Sequence, residues 1–434
     1  MEQGTGKTLS AIATMGYRRI EGQIKRAMIV APLSVSEVVW PIELEKFLDM
    51  PYQLVNLSGL SEDECEAALK RTRRVKDLVI ALVNYESVWR REDLLIKWKP
   101  DMIVADESQR IKTATAKQSK AMHQLGKIAK YRMILTGTPV TQTPLDFFSQ
   151  YKFLDPTIFG TRYRPFEDRY AIKGGYGGYK VLGYQNLDEL AEKAHSVAYR
   201  VTKAEALDLP EAVDQEVYVH LTDDNWKIYK SMEDDFIVKF GETENVTAPI
   251  VLTQLLRLEQ IVGGFLPVGD NQIKQLGEEK LKALEGLLES FPRDKKVVIF
   301  ARFIPEIMAI QALTKELGIK SVVIRGGVAK GDRRVITEQF QTDPKTSVLI
   351  AQLQTGGVGL TLTAADTAIF YSLDFSSEHY EQSRARIHRI GTKGKVTYIH
   401  LIAQGTVDEN ILEALRKNAD VATFVVDILR KGSR

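Results

Sequence analysis

The sequence predicts an α/β protein: two parallel-sheet lobes, a mainly helical insertion between them and a C-terminal helical brace. Three observations carry this. Short β-branched apolar runs bounded by turn residues recur in both halves of the chain. Segments of helical periodicity separate them, as the crossovers of a parallel sheet require. The length, 434 residues, exceeds what one hydrophobic core serves.

In the first half the runs are Ala27 to Ala31, Leu78 to Val83, Met102 to Ala105 and Met133 to Leu135. In the second half they are Val297 to Ala301, Ser321 to Ile324, Val348 to Ala351, Ala368 to Tyr371 and Val396 to Ile402. This assigns residues 1–150 to a first lobe and 276–405 to a second. Residues 151–275 carry longer amphipathic segments, aromatic and basic loops and the glycine-rich stretch Gly174 to Gly178, and read as a mainly helical insertion. In residues 406–434, Ile411, Leu412, Leu415, Val421, Phe424, Val425 and Ile428 fall at helical spacing and predict a brace packed back on the second lobe.

Composition narrows the class. No apolar run approaches the roughly 20 residues needed to span a bilayer, which argues against a membrane protein. The single cysteine, Cys65, allows no internal disulfide, and Met1 opens no export signal. A reducing compartment is expected: the cytoplasm of a bacterium or phage-infected host, or the nucleus if the source is eukaryotic. With 59 basic and 57 acidic residues the formal charge is +2, so any nucleic-acid surface must be local.

Three segments carry chemistry. The chain opens on Gly4-Thr5-Gly6-Lys7-Thr8 followed by a helical run from Leu9 to Arg19. Gly4 and Gly6 let backbone N–H groups approach phosphate oxygens, Lys7 can reach terminal phosphates, and Thr8 can ligate magnesium at a helix N-terminus. Met1 stands where the general phosphate loop has its first glycine, and the bland alternative is a glycine-rich turn before a surface helix. The second segment is Met102 to Gln109, a buried strand that ends in two carboxylates at the edge where parallel sheets bind ligands. Asp106 is suited to hold Mg²⁺ and Glu107 to orient and deprotonate an attacking water; alone, the motif reads equally as a strand end capped by solvated acids. The third is Gln382 to Gly391, where Arg386 and Arg389 are expected to share one helix face and present guanidinium forks to a γ-phosphate.

The order and context of these pieces resemble the superfamily-two helicases, specifically the SWI/SNF-type DNA translocases, over nearly the whole chain. Gly4 to Thr8 resembles the family's first motif, Ile29 to Val35 with Trp40 the next, and Asn84-Tyr85-Glu86 the following one. Asp106 to Lys112 is similar to its acidic box, and Leu135-Thr136-Gly137-Thr138-Pro139 to its coupling motif. Val298 to Phe303, Gly356 to Asp366 and Gln382 to Gly391 match in turn.

The resemblance implies two RecA-like lobes and ATP hydrolysis with Mg²⁺ coupled to movement on double-stranded DNA without base readout. It implies catalytic roles for Glu107, Arg386, Arg389 and Gln382, and ATP contacts from Gly4, Thr5, Gly6, Lys7, Thr8 and Gly359. It further implies nucleic-acid contacts near Ser34, Asn84, Thr355 and Gly356, and coupling through Gln109, Thr136 and Thr138. A monomer is expected, with protein partners unspecified.

Several positions depart from the family. Gln109 stands where histidine is usual, Thr141-Gln142 replaces Gln-Asn, and Thr392 replaces a glutamine; with the compact insertion, these are similar to phage and prophage members. The family carries a strand and an adenine-recognising segment before the phosphate loop. The chain therefore reads as N-terminally truncated at that motif, with an expected gap in the first sheet, a poorly anchored Lys7 loop and weakened ATP binding. Two rivals stay open: a non-catalytic nucleic-acid clamp and a strand-separating helicase.

Other features favour plain readings. The basic run Lys70 to Lys76 reads as a solvated helix end, and Arg162 to Tyr179 as a mobile insertion loop. Six histidines without metal-ligand spacing argue against a zinc site.

Overall fold

The computed structural model describes the chain except residues 3, 34, 141–142, 176, 178–179, 207–208, 243–247, 269–271, 357–359, 390, 393, 418–420, 422–423 and 425–434. It divides into two compact units, Met1–Leu207 and Asp208–Arg434.

The first unit is built on β1 (Arg26–Ala31), β2 (Tyr52–Asn56), β3 (Leu78–Asn84), β4 (Met102–Asp106) and β5 (Tyr131–Leu135). All pair in parallel in the order β2-β3-β1-β4-β5. Side chains alternate across this sheet, so it carries a core on each face. One face holds Met28, Val30, Ala81, Val83, Ile103 and Ala105. The other holds Ala27, Ile29, Ile80, Leu82 and Val104 against Ala11, Ile12 and Met15 of the first helix, Lys7–Ile20.

β1, β3 and β4 are apolar on both faces and legible; β5 is legible from its apolar end, Met133 to Leu135, although only Leu135 is buried, whereas β2, also with a single buried residue, is not. The five described strands pair without interruption, and β5 lies at one edge with Tyr131 to Ile134 half-buried. The helix that the Lys7 loop leads into is firmly packed, with Ala11, Ile12 and Met15 fully buried.

Residues 151–275 do not form one helical insertion. Up to residue 207 they belong to the first unit, where Leu145, Phe148, Phe166, Tyr170, Ala171 and Leu190 make a small core beside the antiparallel hairpin β6 (Ala171–Gly174) and β7 (Lys180–Tyr184). The remainder belongs to the second unit. It supplies β8 (Ala212–Val219), the helices Asp223–Glu242 and Ala248–Val262, and the hairpin β9 (Phe265–Val268) and β10 (Gln272–Gln275).

The second sheet adds β11 (Val297–Ala301), β12 (Lys320–Ile324), β13 (Thr346–Gln352), β14 (Thr367–Phe370) and β15 (Val396–Ala403). Its six strands are parallel in the order β12-β13-β11-β14-β15-β8. β8 escapes sequence reading because Asp214, Gln215 and Glu216 interrupt its apolar pattern, and acidic residues are poor strand formers. Those acids dock it. Asp214 takes a two-pronged bond from Arg384, whose guanidinium lies 3.9 Å from the centre of the Tyr398 ring, and Glu216 pairs with Arg416 at 2.5 Å.

The C-terminal brace is present as the helix Val407–Arg416, whose Ile411, Leu412 and Leu415 enter the second core together with Val421. A buried pair, Lys280 to Asp408 at 2.5 Å, fastens it to the helix Glu279–Ser290. Val425 and Ile428 of the predicted brace lie outside the described residues.

Replacing Asp214 with alanine should lower the unfolding free energy by about 2 kcal/mol, because Arg384 loses a charged hydrogen-bond partner. Glu211→Ala, which breaks only the exposed pair with Lys395 at 3.1 Å, should cost less than about 0.5 kcal/mol. Denaturant melts of the two variants check the contrast.

Candidate nucleotide and nucleic-acid site

The phosphate-loop residues adopt the conformation their glycines permit. Gly4 (φ 83°) and Gly6 (φ 90°) both lie in the left-handed region, and Gly6 caps the helix that Lys7 begins. The loop is closed by Thr5, whose hydroxyl donates to the Glu2 carbonyl at 2.8 Å. The Lys7 ammonium donates to the carbonyls of Met1 (3.2 Å) and Glu2 (2.9 Å), so its charge lies over the loop. Thr8 follows in the first turn of the helix, half-buried.

Asp106 ends β4 and is buried. Its carboxylate accepts the Trp40 indole N–H at 2.9 Å and the Glu107 amide at 3.0 Å. Burial and the neighbouring Glu107 charge push its pKa up to about 7, opposed by the Trp40 bond and by the Lys7 charge. The Tyr85 hydroxyl donates to the Asp106 carbonyl at 2.8 Å, which fixes the backbone at the strand end. Glu107 then takes a left-handed φ of 51°, uncommon for a residue with a side chain and sharp enough to turn the chain out of the sheet.

A chain of bonds runs from this turn to the next strand end. Gln109 donates to the Glu107 carboxylate at 2.9 Å and accepts the Thr136 hydroxyl at 2.8 Å; that hydroxyl in turn accepts the Thr138 amide at 3.0 Å. The glutamine in place of histidine therefore spans the same two segments, using both ends of its amide. Thr141 and Gln142 lie outside the described residues.

The residues assigned to nucleic acid are unevenly described. Asn84 ends β3, buried, with its amide nitrogen donating to Glu86 at 2.9 Å and its carbonyl oxygen without a hydrogen-bond partner. Thr355 and Gly356 close the short helix Leu353–Gly356 after β13. Ser34 and Gly359 lie outside the described residues.

In the second unit the helix Ser377–Ile387 carries buried Gln382, which donates to Glu378 at 3.0 Å, and Arg386 in its last turn. Arg389 is not on that helix face, contrary to the spacing argument. The helix stops at Ile387 because His388 leaves helical geometry (ψ 85°), with its Nε2 bonded to the Pro210 carbonyl at 2.8 Å. Thr392 closes the following turn: its hydroxyl bridges the carbonyls of Ile387 (2.5 Å) and Arg389 (2.8 Å) and accepts the Arg389 amide at 3.2 Å. Both guanidinium groups still converge on one loop, Arg386 on the Leu360 carbonyl at 3.4 Å and Arg389 on the Thr361 hydroxyl at 3.0 Å.

The SNF2-related domain model matches residues 1–263, and that of the helicase conserved C-terminal domain matches 279–391. The chain belongs to the SNF2-related helicase family. An uncharacterized ATP-dependent helicase of Mycoplasma pneumoniae is 26% identical over 98% of this chain and 40% of its own length. The SWI/SNF-related matrix-associated actin-dependent regulator of chromatin subfamily A-like protein 1 homolog of Caenorhabditis elegans is 27% identical over 97% of this chain and 58% of its own. Human DNA annealing helicase and endonuclease ZRANB3 is 27% identical over 97% and 38%. This chain thus spans only part of these relatives. A solved SWI2/SNF2 ATPase core from Sulfolobus solfataricus in complex with dsDNA is 26% identical, covering 96% of this chain and 85% of that one at a TM-score of 0.42.

Sequence reading of this SNF2-related chain missed what holds the acidic turn. Trp40 was noticed only as a motif neighbour, although its indole is fully buried against Asp106. Tyr85 is likewise legible only as part of its motif, and Gln150 gives no signal, since a buried hydrogen bond between distant segments leaves no periodicity. A double-mutant cycle of Trp40→Phe and Asp106→Ala, followed by thermal unfolding at pH 8, should give a coupling of about 1.5–3 kcal/mol, as for a hydrogen bond to a charged group. Additive effects would remove the bond from the account.

Proposed function

We propose that the chain hydrolyses ATP with magnesium and couples the hydrolysis to translocation on double-stranded DNA. The observation that carries this reading is the Asp106–Glu107 pair at the C-terminal end of β4, with Asp106 buried and Glu107 half-buried beside it, where Asp106 feels the charge of Lys7. Such an edge is where parallel sheets bind ligands, and a glycine loop leading into a helix N-terminus suits a polyphosphate. A divalent cation fits the donors: oxygen ligands only, including a carboxylate whose burial a positive charge would offset. Asp106 and the Thr8 hydroxyl would hold it, and when bound it would neutralise phosphate charge.

The chain's own groups do the rest. Loop amides from Gly4 to Lys7 and the Lys7 ammonium bind the phosphates. Glu107 takes the proton of the attacking water, held in place by Gln109. In this reading Arg386 and Arg389 supply permanent charge to the transferring phosphoryl group, positioned by the Leu360–Thr361 loop. Asn84 at the end of β3, and Thr355 and Gly356 in the short helix after β13, would track phosphates of DNA without reading bases.

Arg389→Ala should lower DNA-stimulated phosphate release by roughly 10³-fold or more while leaving the thermal midpoint unchanged. Release should be measured with no nucleic acid, duplex DNA, single-stranded DNA and RNA. Stimulation by the duplex without strand displacement is expected. Displacement would favour the strand-separating helicase, and no stimulation by any nucleic acid would favour a clamp without catalysis.

A further inference from the structure

We propose that Gln150 is a positioning residue for the acidic turn, acting on Glu107 through Ser108. The inference rests on the catalytic reading of Glu107 given above. Gln150 lies in the helix Phe147–Leu154 and is fully buried, as is Ser108. Its Oε1 accepts the Ser108 hydroxyl at 2.7 Å, and its Nε2 donates to the carbonyls of Pro139 (2.7 Å) and Asp146 (3.0 Å). Two carbonyls can face only the NH₂ end, so the orientation of the amide is fixed by its partners.

The position of these partners gives the amide its consequence. Ser108 follows Glu107 directly, where the backbone has just made its left-handed turn. Pro139 ends the segment whose Thr136 is tied to Gln109. Gln109 and Gln150 thus tie the same two segments together, one between Glu107 and Thr136 and one between Ser108 and Pro139. Two bonds at neighbouring residues restrict the turn more than either would alone.

The helix carrying Gln150 is itself held by aromatic packing, Phe148 lying 5.3 Å from both Tyr163 and Phe166 between ring centres. Gln150 therefore refers the acidic turn to a body of side chains outside the sheet. A general base displaced by a fraction of an ångström loses rate without losing substrate. Such a loss would appear in kcat and leave KM for ATP unchanged.

The test uses the whole chain with saturating duplex DNA and compares Gln150→Met, Ser108→Ala and the double variant. Ser108→Ala removes the same bond with almost no change of volume and carries the test if Gln150→Met fails to fold. Each single variant should lower kcat about tenfold to a hundredfold, with KM for ATP within about twofold of the parent. The double variant should be no slower than the slower single, because both break one connection. A full kcat in Ser108→Ala, multiplied losses in the double variant, or a fall in thermal midpoint with kcat intact would overturn the proposal and leave Gln150 a packing residue. Glu107→Gln is run beside them: hydrolysis surviving in that variant overturns the catalytic reading itself, whereas an inactive Glu107→Gln beside an unimpaired Ser108→Ala overturns only the role of Gln150.

Discussion

The carboxylate of Asp106 is buried where the sheet of the first unit ends, and much of that unit is arranged around the difficulty this creates. Charge in a low-dielectric interior is unfavourable unless hydrogen-bonded or paired. β4 runs between β1 and β5 with Met102 to Ala105 fully apolar, so its last residue arrives beneath the surface. The Trp40 indole and the Glu107 amide each supply a donor, and Tyr85 anchors the carbonyl of the same residue. The turn that follows is bent through a left-handed Glu107 and fixed to neighbouring segments through Ser108 and Gln109. Substrate chemistry would then begin from a turn already held in one geometry.

The second unit solves a related problem with permanent charge. Arg386 and Arg389 sit at the end of a helix and in the turn beyond it, and the same loop, Leu360–Thr361, receives both. Behind them the unit is bound by ion pairs that cross long sequence distances: Arg384 with Asp214, Lys280 with Asp408, and Arg302 with Glu259. Removing one partner from the buried pairs would strand a charge, so these contacts tie the brace and the helix Ala248–Val262 to the sheet with more specificity than stability.

What could be read from sequence was whatever repeats or clusters locally. Strands apolar on both faces, β1, β3, β4, β11, β13, β14 and β15, announce themselves, as do the apolar ends of the edge strands β5 and β12, the loop Gly4 to Thr8 and the pair Asp106–Glu107. β8 was hidden because its acids pair with Arg384 and Arg416, residues about 170 and 200 positions away. Spacing placed Arg389 on the helix with Arg386 because nothing local shows that His388 bonds to Pro210 and Thr392 closes a turn. Thr392, noted as a departure from the family, is thereby explained, and Gln109 likewise keeps the connection between Glu107 and Thr136. Gln150 could not be found by pattern: a single buried amide is visible only when its three partners are.

The central claim, that folding buries Asp106 at a cost retained for the site, is tested most directly by one comparison. The thermal midpoint of Asp106→Asn relative to the parent should be followed from pH 4 to pH 8 without magnesium or nucleotide. With the folded pKa raised to about 7 and the unfolded value about 3.9, ionisation costs nothing below pH 4 and costs increasingly as pH rises through that window. The carboxyl groups of Glu259 and Glu306, also raised by burial, are common to both proteins and cancel. The variant should therefore gain on the parent steadily from pH 4 to pH 7 and be more stable by several degrees at pH 8. A difference that stays flat across the range, or that favours the parent more as pH rises, would contradict the account.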